Sequence, residues 1–206
     1  MARNRDPFSQ ALSSLRERIQ TGLIQAGAPV IVVDEAQRLR LSPTPVREAL
    51  ARLSGENMVI RASPGGYFAR PFNVRALTEF YLMREQYLRF AVETNVTLLS
   101  GLIRSAPPFE ADAPNRSVDH LFRRLVCDTG NELLSQSYQR IDQQLFRAKM
   151  MEARLFTDLG AEARSLFAAY EAPVASEFTT FLAAYHRRRV LAAAALASMV
   201  NEPPEF

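Results

Sequence analysis

Three polar side chains near the start of one predicted helix have the chemistry to bind a nucleic acid. Ser42, Thr44 and Arg47 lie within six residues, in a segment whose apolar residues recur at helical spacing. The Arg47 guanidinium can donate two parallel hydrogen bonds to N7 and O6 of guanine, and the two hydroxyl groups can bind phosphate. The alternative for Arg47 is a surface ion pair with a neighbour such as Glu48.

Positive charge is concentrated in the first third of the chain. Residues 1–75 contain 11 arginines and 6 acidic residues, a net charge of +5, whereas residues 76–206 have a net charge of −2. This uneven distribution suggests that the first third meets a polyanion. Arg38 and Arg52 can add phosphate contacts there, although a solvated surface role is as good an interpretation of each.

The elements expected around these residues form a compact motif. Helical periodicity predicts a first helix, then a short helix that Asp34 caps, and then a helix with Ser42 as its N-cap and Pro43 in the first helical position. Two strand-like runs follow, around a turn that contains Gly65 and Gly66. Three helices and a hairpin wing are the outline of a winged helix-turn-helix. The predicted helices are 8–24, 34–41 and 42–55, and the strands are 58–62 and 67–70.

After a linker at residues 71–74, the sequence favours helices only. The fold class expected is mainly α, with an N-terminal winged helix-turn-helix over residues 1–71 and a C-terminal antiparallel all-helical bundle over residues 72–206. The predicted helices of the second domain are 74–103, 117–128, 132–156 (either continuous or interrupted), 161–170 and 176–200.

Residues 41–50, LSPTPVREAL, closely resemble the recognition-helix signature of the GntR transcription regulators, VSRTPVREAL. The segment Gly65–Phe68 is similar to the glycine-rich wing tip of that family. The resemblance implies that Arg47 reads bases in the major groove, while Gly65 and Gly66 let the wing approach DNA closely. One departure is Pro43, which stands where the family usually has arginine and puts the operator sequence in doubt.

The second half resembles the FCD ligand-sensing domain of the FadR-like branch. The matching residues lie at 81–84, 119–122 and 129–134. Many such domains hold a divalent metal with one aspartate and three histidines, but this chain has only two histidines, His120 and His186, and Arg123 stands at one expected histidine position. We therefore expect no metal cofactor, and we interpret both histidines as surface or packing residues.

The same resemblance predicts an effector pocket anchored by charged side chains. Arg84 and Asp119 occupy the family positions, and Arg123 lies one helical turn after Asp119. Arg123 either pairs with Asp119 or, with Arg84, holds an anionic, carboxylate-type metabolite. Weaker candidates for the polar lining are Tyr87, Asn95 and Gln144.

Other function classes have little support in the sequence. No catalytic pair of carboxylates, no nucleophile with a base and no phosphate-binding glycine loop has a convincing spacing, so we do not expect an enzyme. No apolar run is long enough to span a membrane, and a cytoplasmic protein is expected. The expected partners are a palindromic double-stranded DNA operator, a small-molecule effector and a second copy of the chain in a homodimer. By the family resemblance the default is a repressor relieved by a metabolite. The alternative is a DNA-binding protein whose helical domain only dimerises.

Overall fold

The first helix shows how local sequence sets the boundaries of these elements. The side chain of Asp6 accepts a hydrogen bond from the backbone N–H of Ser9 at 3.1 Å, which caps α1 at its start. The helix ends at Gly22, which has the left-handed φ of 83° that glycine adopts without strain. Its apolar stripe, including Leu15, is buried.

The computed structural model describes residues 6–63, 65–98, 105–172 and 175–202. Helices dominate this part of the chain, and three short strands form one antiparallel sheet. The helices are α1 Pro7–Thr21, α2 Val32–Leu39, α3 Pro43–Gly55, α4 Val74–Leu98, α5 Pro114–Cys127, α6 Glu132–Gln144, α7 Phe146–Leu155, α8 Leu159–Glu171, α9 Ala175–Leu191 and α10 Ala193–Asn201, and the strands are β1 Pro29–Val30, β2 Val59–Arg61 and β3 Tyr67–Ala69.

A tight turn joins α2 to α3. Arg40 adopts a left-handed φ of 56°, and the N–H of Leu41 donates to the carbonyl of Ala36 at 2.9 Å, which closes the end of α2. The prediction that Asp34 caps α2 is wrong, because the helix begins two residues earlier with Ile31 at the N-cap position. Asp34 lies instead in the first turn, where its negative charge interacts favourably with the positive end of the helix dipole.

The sheet contains one strand more than the predicted hairpin. Its order is β1-β3-β2, and both pairings are antiparallel, with Ile60 opposite Phe68 and Pro29 opposite Phe68 on the other edge. The sequence signal at Pro29 indicated only a break, but proline is tolerated in an edge strand because no ladder bond needs its missing N–H. Three helices with this sheet form a winged helix-turn-helix.

The helical unit packs its helices around a single apolar core. Helix α4 contacts α5, α6 and α9, while α8 contacts α5 and α9. The predicted helix over 132–156 is interrupted at Leu145, which separates α6 from α7, and the predicted helix over 176–200 divides into α9 and α10. Residues 99–103 of the first predicted helix of this domain lie outside the described residues.

The chain divides into two compact units. The first contains the residues up to Asn73 together with those from Ala197 onward, and the second spans Val74–Leu196. Within the first unit, Asn201 donates to the carbonyl of Phe72 at 2.7 Å and accepts from its N–H at 3.2 Å. The last turn of α10 is therefore fastened to the segment that follows the wing.

Candidate functional site

Helix α3 has one fully buried face and one exposed face. Val46, Leu50 and Leu53 are fully buried in the core of the first unit, against α1 and α2. Because the side chains on the opposite face of a helix must point away from that core, Thr44 and Arg47 are exposed. The packing of α3 thus orients the residues that the sequence predicts to contact DNA.

The start of α3 leaves hydroxyl groups exposed. Ser42 occupies the N-cap position, as predicted, but its side chain makes no capping hydrogen bond. Pro43 and Pro45 have no N–H group, so Thr44 supplies the backbone donor between them. Ser42 and Thr44 are both exposed, and their hydroxyl groups can donate to a phosphate.

Arg47 differs from the neighbouring arginines in its ion pairing. Arg38 pairs with Glu35 at 2.8 Å, and Arg52 pairs with Glu56 at 2.8 Å. These carboxylates offset part of the attraction of the two arginines for phosphate. Arg47 forms no ion pair with any described residue, so the alternative of a pair with Glu48 has no support in the structure.

The wing presents its backbone at the tip of a two-stranded turn. The N–H of Ala62 donates to the carbonyl of Gly66 at 3.1 Å, next to the pairing of Arg61 with Tyr67. Gly66 has a φ of 118°, a conformation that a side chain would disfavour. Gly65 and Gly66 are exposed, which leaves the backbone of the tip open to close approach.

Four helices of the second unit each contribute one charged residue to a closed ion cluster. Arg84 of α4 contacts Asp119 of α5 at 2.8 Å and Asp142 of α6 at 3.0 Å through its Nη2 atom. Lys149 of α7 contacts the same two carboxylates at 2.8 and 2.9 Å. We call these four residues the α4–α7 ion cluster. Its two positive and two negative charges balance.

The sequence analysis missed half of this cluster. Asp142 and Lys149 are seven residues apart but lie on different helices, because Leu145 separates α6 from α7. One signal was available, since Lys149 is the single lysine among 25 basic residues. A compact ammonium group with three donors can bridge two carboxylates in a space that a planar guanidinium does not suit.

The charge balance bears on the pKa of Asp142. Burial alone would raise the pKa of this carboxyl group, but Arg84 and Lys149 outweigh that effect and hold it below the ordinary value. Asp142 is therefore charged at neutral pH. Arg84, which the sequence predicts to anchor an anion, already has two carboxylate partners.

The other predicted effector residues do not gather around Arg84. Arg123 is exposed, and Asp119 pairs with Arg84 and Lys149. Tyr87 is half-buried and lines a surface groove of about 540 Å³ between α4 and α6. Asn95 is buried and donates to the carbonyl of Leu125 at 2.8 Å, and Gln144 is buried at the end of α6.

Besides Nε of Arg16 and Oδ1 of Asn95, three side chains in the helical unit carry buried polar atoms without a hydrogen-bond partner among the described residues. They are Nε and Nη1 of Arg84, the hydroxyl oxygen of Tyr138 and Nε2 of His186. The Phe122 ring lies 4.9 Å from the Arg84 guanidinium and 5.8 Å from the His186 ring, and the Arg84 guanidinium lies 5.8 Å from the Tyr138 ring. We call Arg84, Tyr138 and His186 the unpaired polar site.

His186 is neutral, and its tautomer follows from one contact. Its Nδ1 atom lies 2.9 Å from the carbonyl oxygen of Leu182, so Nδ1 must carry the proton and donate it. Nε2 is consequently an acceptor. Burial and the nearby Arg84 charge hold the pKa of His186 well below its ordinary value of 6.5. The interpretation of His186 as a packing residue therefore leaves out a buried acceptor that is not satisfied.

A second ion cluster lies between α7, α8 and α9. Arg189 contacts Glu152 and Glu162, both at 2.9 Å, and Tyr81 donates to Glu152 at 2.7 Å. Burial, together with the charge of Glu152, raises the pKa of Tyr81 well above its ordinary value. Arg189 has two carboxylate partners, and the hydroxyl of Tyr81 has a carboxylate acceptor. We therefore interpret this cluster as part of the packing between helices and not as a binding site.

We expect His186 to make the protein less stable in acid. Below pH 6.5 the unfolded chain binds a proton at this histidine that the native state does not, so the free energy of unfolding falls as the pH falls. The slope reaches at most about 1.4 kcal/mol per pH unit. Urea unfolding between pH 7.5 and 5 measures it, and His186→Phe should remove this part of the slope.

The only other histidine, His120, is exposed and provides the control. His120→Asn should keep the pH dependence of the wild-type protein. If His186→Phe and the wild-type chain show the same pH dependence, then His186 binds a proton in the folded state and is not a neutral acceptor.

The metal site that the resemblance implies does not fit these residues. Asp119 is bonded to two cationic side chains, and Arg123 replaces one histidine ligand. Among the described residues, no three His, Cys, Asp or Glu side chains are grouped so that they could hold a metal ion.

None of the described helices is both long and apolar enough to cross a membrane.

Comparison with known proteins identifies the N-terminal domain. Residues 8–68 match the family described as bacterial regulatory proteins, gntR family. No curated protein sequence matches the chain. The matched residues cover nearly all of the three helices and the sheet of the winged helix-turn-helix.

Solved structures with the same fold cover nearly the whole chain. A GntR transcriptional regulator from Rhodococcus sp. RHA1 has a TM-score of 0.73 at 15% identity, and McbR/YncC of E. coli has a TM-score of 0.66 at 18% identity. In both comparisons 91% of this chain and 97% of the other are covered. Lar, which controls the agr system of Listeria monocytogenes, has a TM-score of 0.58 at 10% identity, with coverage of 94% and 99%. These likenesses show the fold.

Proposed function

We propose that this chain, a transcription regulator with a DNA-binding domain of the GntR family, is a repressor that binds a palindromic operator as a homodimer. A small molecule bound in its helical unit, which we take to be of the FCD type, releases the DNA. The observation that carries the proposal is the exposed, unpaired Arg47 on a helix whose opposite face is fully buried.

The exposed face of helix α3 supports the proposed DNA contacts. Its first turns enter the major groove, where Arg47 donates to N7 and O6 of a guanine. Ser42 and Thr44 bind phosphate oxygens, which set the register of the helix on the duplex. The tip at Gly65 and Gly66 approaches the adjacent backbone or minor groove.

The homodimer follows from how helix-turn-helix proteins read DNA. A single α3 contacts too few base pairs for a specific site, and two copies double the number of base contacts. Related by a twofold axis, they meet half-sites about one helical turn apart. The operator then repeats the same half-site in opposite directions.

Sensing in the helical unit is supported by its buried polar groups. Unsatisfied donors and acceptors in a protein core are costly, and they are common where a ligand or water binds. A molecule that binds better to a form of the protein that does not fit DNA shifts the population away from the operator complex.

The second candidate function is a DNA-binding protein whose helical unit only dimerises. The closed α4–α7 ion cluster favours it, because all four charged groups there already have protein partners. Under this alternative, waters satisfy the unpaired polar site, and no small molecule changes the affinity for DNA.

Selection of bound sequences from random double-stranded DNA tests the proposal. We expect an inverted repeat with half-sites about one turn apart. The selected operator is then titrated with the full chain in the presence of small-molecule fractions from cell extract. Release of DNA by at least one fraction is expected; enrichment of an operator without release by any fraction supports the dimerisation alternative. No enrichment of any sequence contradicts operator binding itself.

A further inference from the structure

We infer that the unpaired polar site binds a small uncharged molecule that has both a hydrogen-bond donor, such as a hydroxyl or amide N–H, and an acceptor oxygen. The site comprises Arg84, Tyr138 and His186. The inference rests on the proposed function, because it names the chemical class of the effector, and the geometry of these three side chains supplies the argument.

The unpaired atoms of the three side chains differ in whether they donate or accept hydrogen bonds. Nε and Nη1 of Arg84 can only donate, while Nε2 of His186 can only accept, because the proton of that ring is held at Nδ1 by the carbonyl of Leu182. The hydroxyl of Tyr138 can do either. A complementary molecule must therefore present an acceptor toward Arg84 and a donor toward His186.

The charge of a bound molecule matters because the site lies beside the α4–α7 ion cluster. A carboxylate, the effector class expected from the sequence, would satisfy Arg84 but bring a third negative charge beside Asp119 and Asp142. The positive charges of Arg84 and Lys149 are already balanced by these two aspartates. Arg123 also acts on Asp142, but it is exposed, so water screens its charge. A buried charge without a counter-ion of its own is strongly disfavoured, and it would also meet the lone pair of His186.

All three side chains of the unpaired polar site are buried. Arg84 and His186 are fully buried, and Tyr138 is only 3% exposed. An orphaned polar atom at such depth costs stability unless something binds it. Arg84 and His186 both lie against Phe122, and Tyr138 lies against Arg84, so one ligand can satisfy all three side chains at once. An alcohol, a hydroxy ketone or an amide has the required donor and acceptor without a net charge.

A matched pair of probes separates the charge classes. Lactamide and lactate have the same shape and the same hydroxyl group, but only lactate is charged. We expect lactamide to raise the melting temperature of the full chain more than lactate does at equal concentration. His186→Phe should weaken the binding of lactamide about tenfold, because the hydrogen-bond donor of lactamide loses the Nε2 atom that accepts from it. Tyr138→Phe should also weaken the binding of lactamide.

Tyr170→Phe is the control, since Tyr170 is a buried tyrosine of the same core outside the site. A larger shift with lactate overturns the inference, as does unchanged lactamide binding in His186→Phe. No shift with either probe, together with a crystal structure in which ordered water alone bridges the three side chains, also overturns it. Release of operator DNA by carboxylates would leave the proposed function standing while the inference fails.

Discussion

Replacing Lys149 with methionine is expected to lower the free energy of unfolding by about 3 kcal/mol at neutral pH. The change leaves Arg84 as the buried cation that contacts Asp119 and Asp142, while Arg123 near Asp142 is exposed to solvent. This is the low end of the range for breaking a buried ion pair, because the side chain of Asp119 remains 22% exposed and water can screen part of the imbalance. Urea unfolding followed by circular dichroism measures the loss.

The pH dependence identifies the cause of that loss. In Lys149→Met, Asp142 loses one of the cations that hold its pKa below the ordinary value. The charged form of Asp142 then contributes less stability at neutral pH, so less is lost as the pH falls. The difference from the wild-type chain should therefore narrow in acid. Adding Asp142→Asn to Lys149→Met restores the charge balance and should recover part of the loss at neutral pH.

An exposed ion pair provides the matched control. Arg124 contacts Asp128 at 2.7 Å on the surface of α5, where the arginine side chain is 60% exposed. Arg124→Met should leave the free energy of unfolding nearly unchanged, because water screens this exposed pair. If Lys149→Met is equally mild at neutral pH, the α4–α7 ion cluster is not a balanced buried unit, and the argument for an uncharged effector loses its basis.

Replacing Arg47 with alanine is expected to cost about 1–3 kcal/mol of operator binding, or about a 5- to 150-fold loss of affinity. The variant lacks the guanidinium group and therefore the two hydrogen bonds that it would donate to guanine. Discrimination at the contacted base pair should also relax, so operators with that guanine replaced bind the variant as well as the original does. Fluorescence anisotropy with both operators measures the two effects.

Arg116→Ala is the control for this variant, because Arg116 is an exposed arginine of the helical unit. It removes the same charge from the chain but should leave operator affinity unchanged. A uniform loss of affinity in Arg47→Ala across all sequences, with a weaker salt dependence, would assign Arg47 to a phosphate contact.

The DNA-binding domain could be predicted from sequence because its determinants are local. The helix start at Ser42, the apolar spacing that buries Val46 and Leu50, and the turn at Gly65 and Gly66 are all set by residues close together in the chain. Two features were not predicted correctly. The start of α2 was placed two residues late, and β1 was missed because a two-residue edge strand has no periodicity of its own.

The buried site of the helical unit could be predicted only in part, because its contacts are distant in sequence. Arg84 was named through its family position, but its partner Asp142 lies 58 residues further on and carries no signal of its own. The role of His186 depends on which of its nitrogen atoms meets the Leu182 carbonyl, and periodicity does not encode that contact. The single lysine, Lys149, was the one available indication.

Methylation interference on the selected operator tests the central claim most directly. Dimethyl sulfate methylates guanine N7 in the major groove, at the atom to which we expect Arg47 to donate a hydrogen bond. We predict that methylation of one guanine in each half-site blocks binding of the wild-type chain, and that Arg47→Ala becomes insensitive to it. Binding that no guanine methylation impairs would contradict recognition through α3.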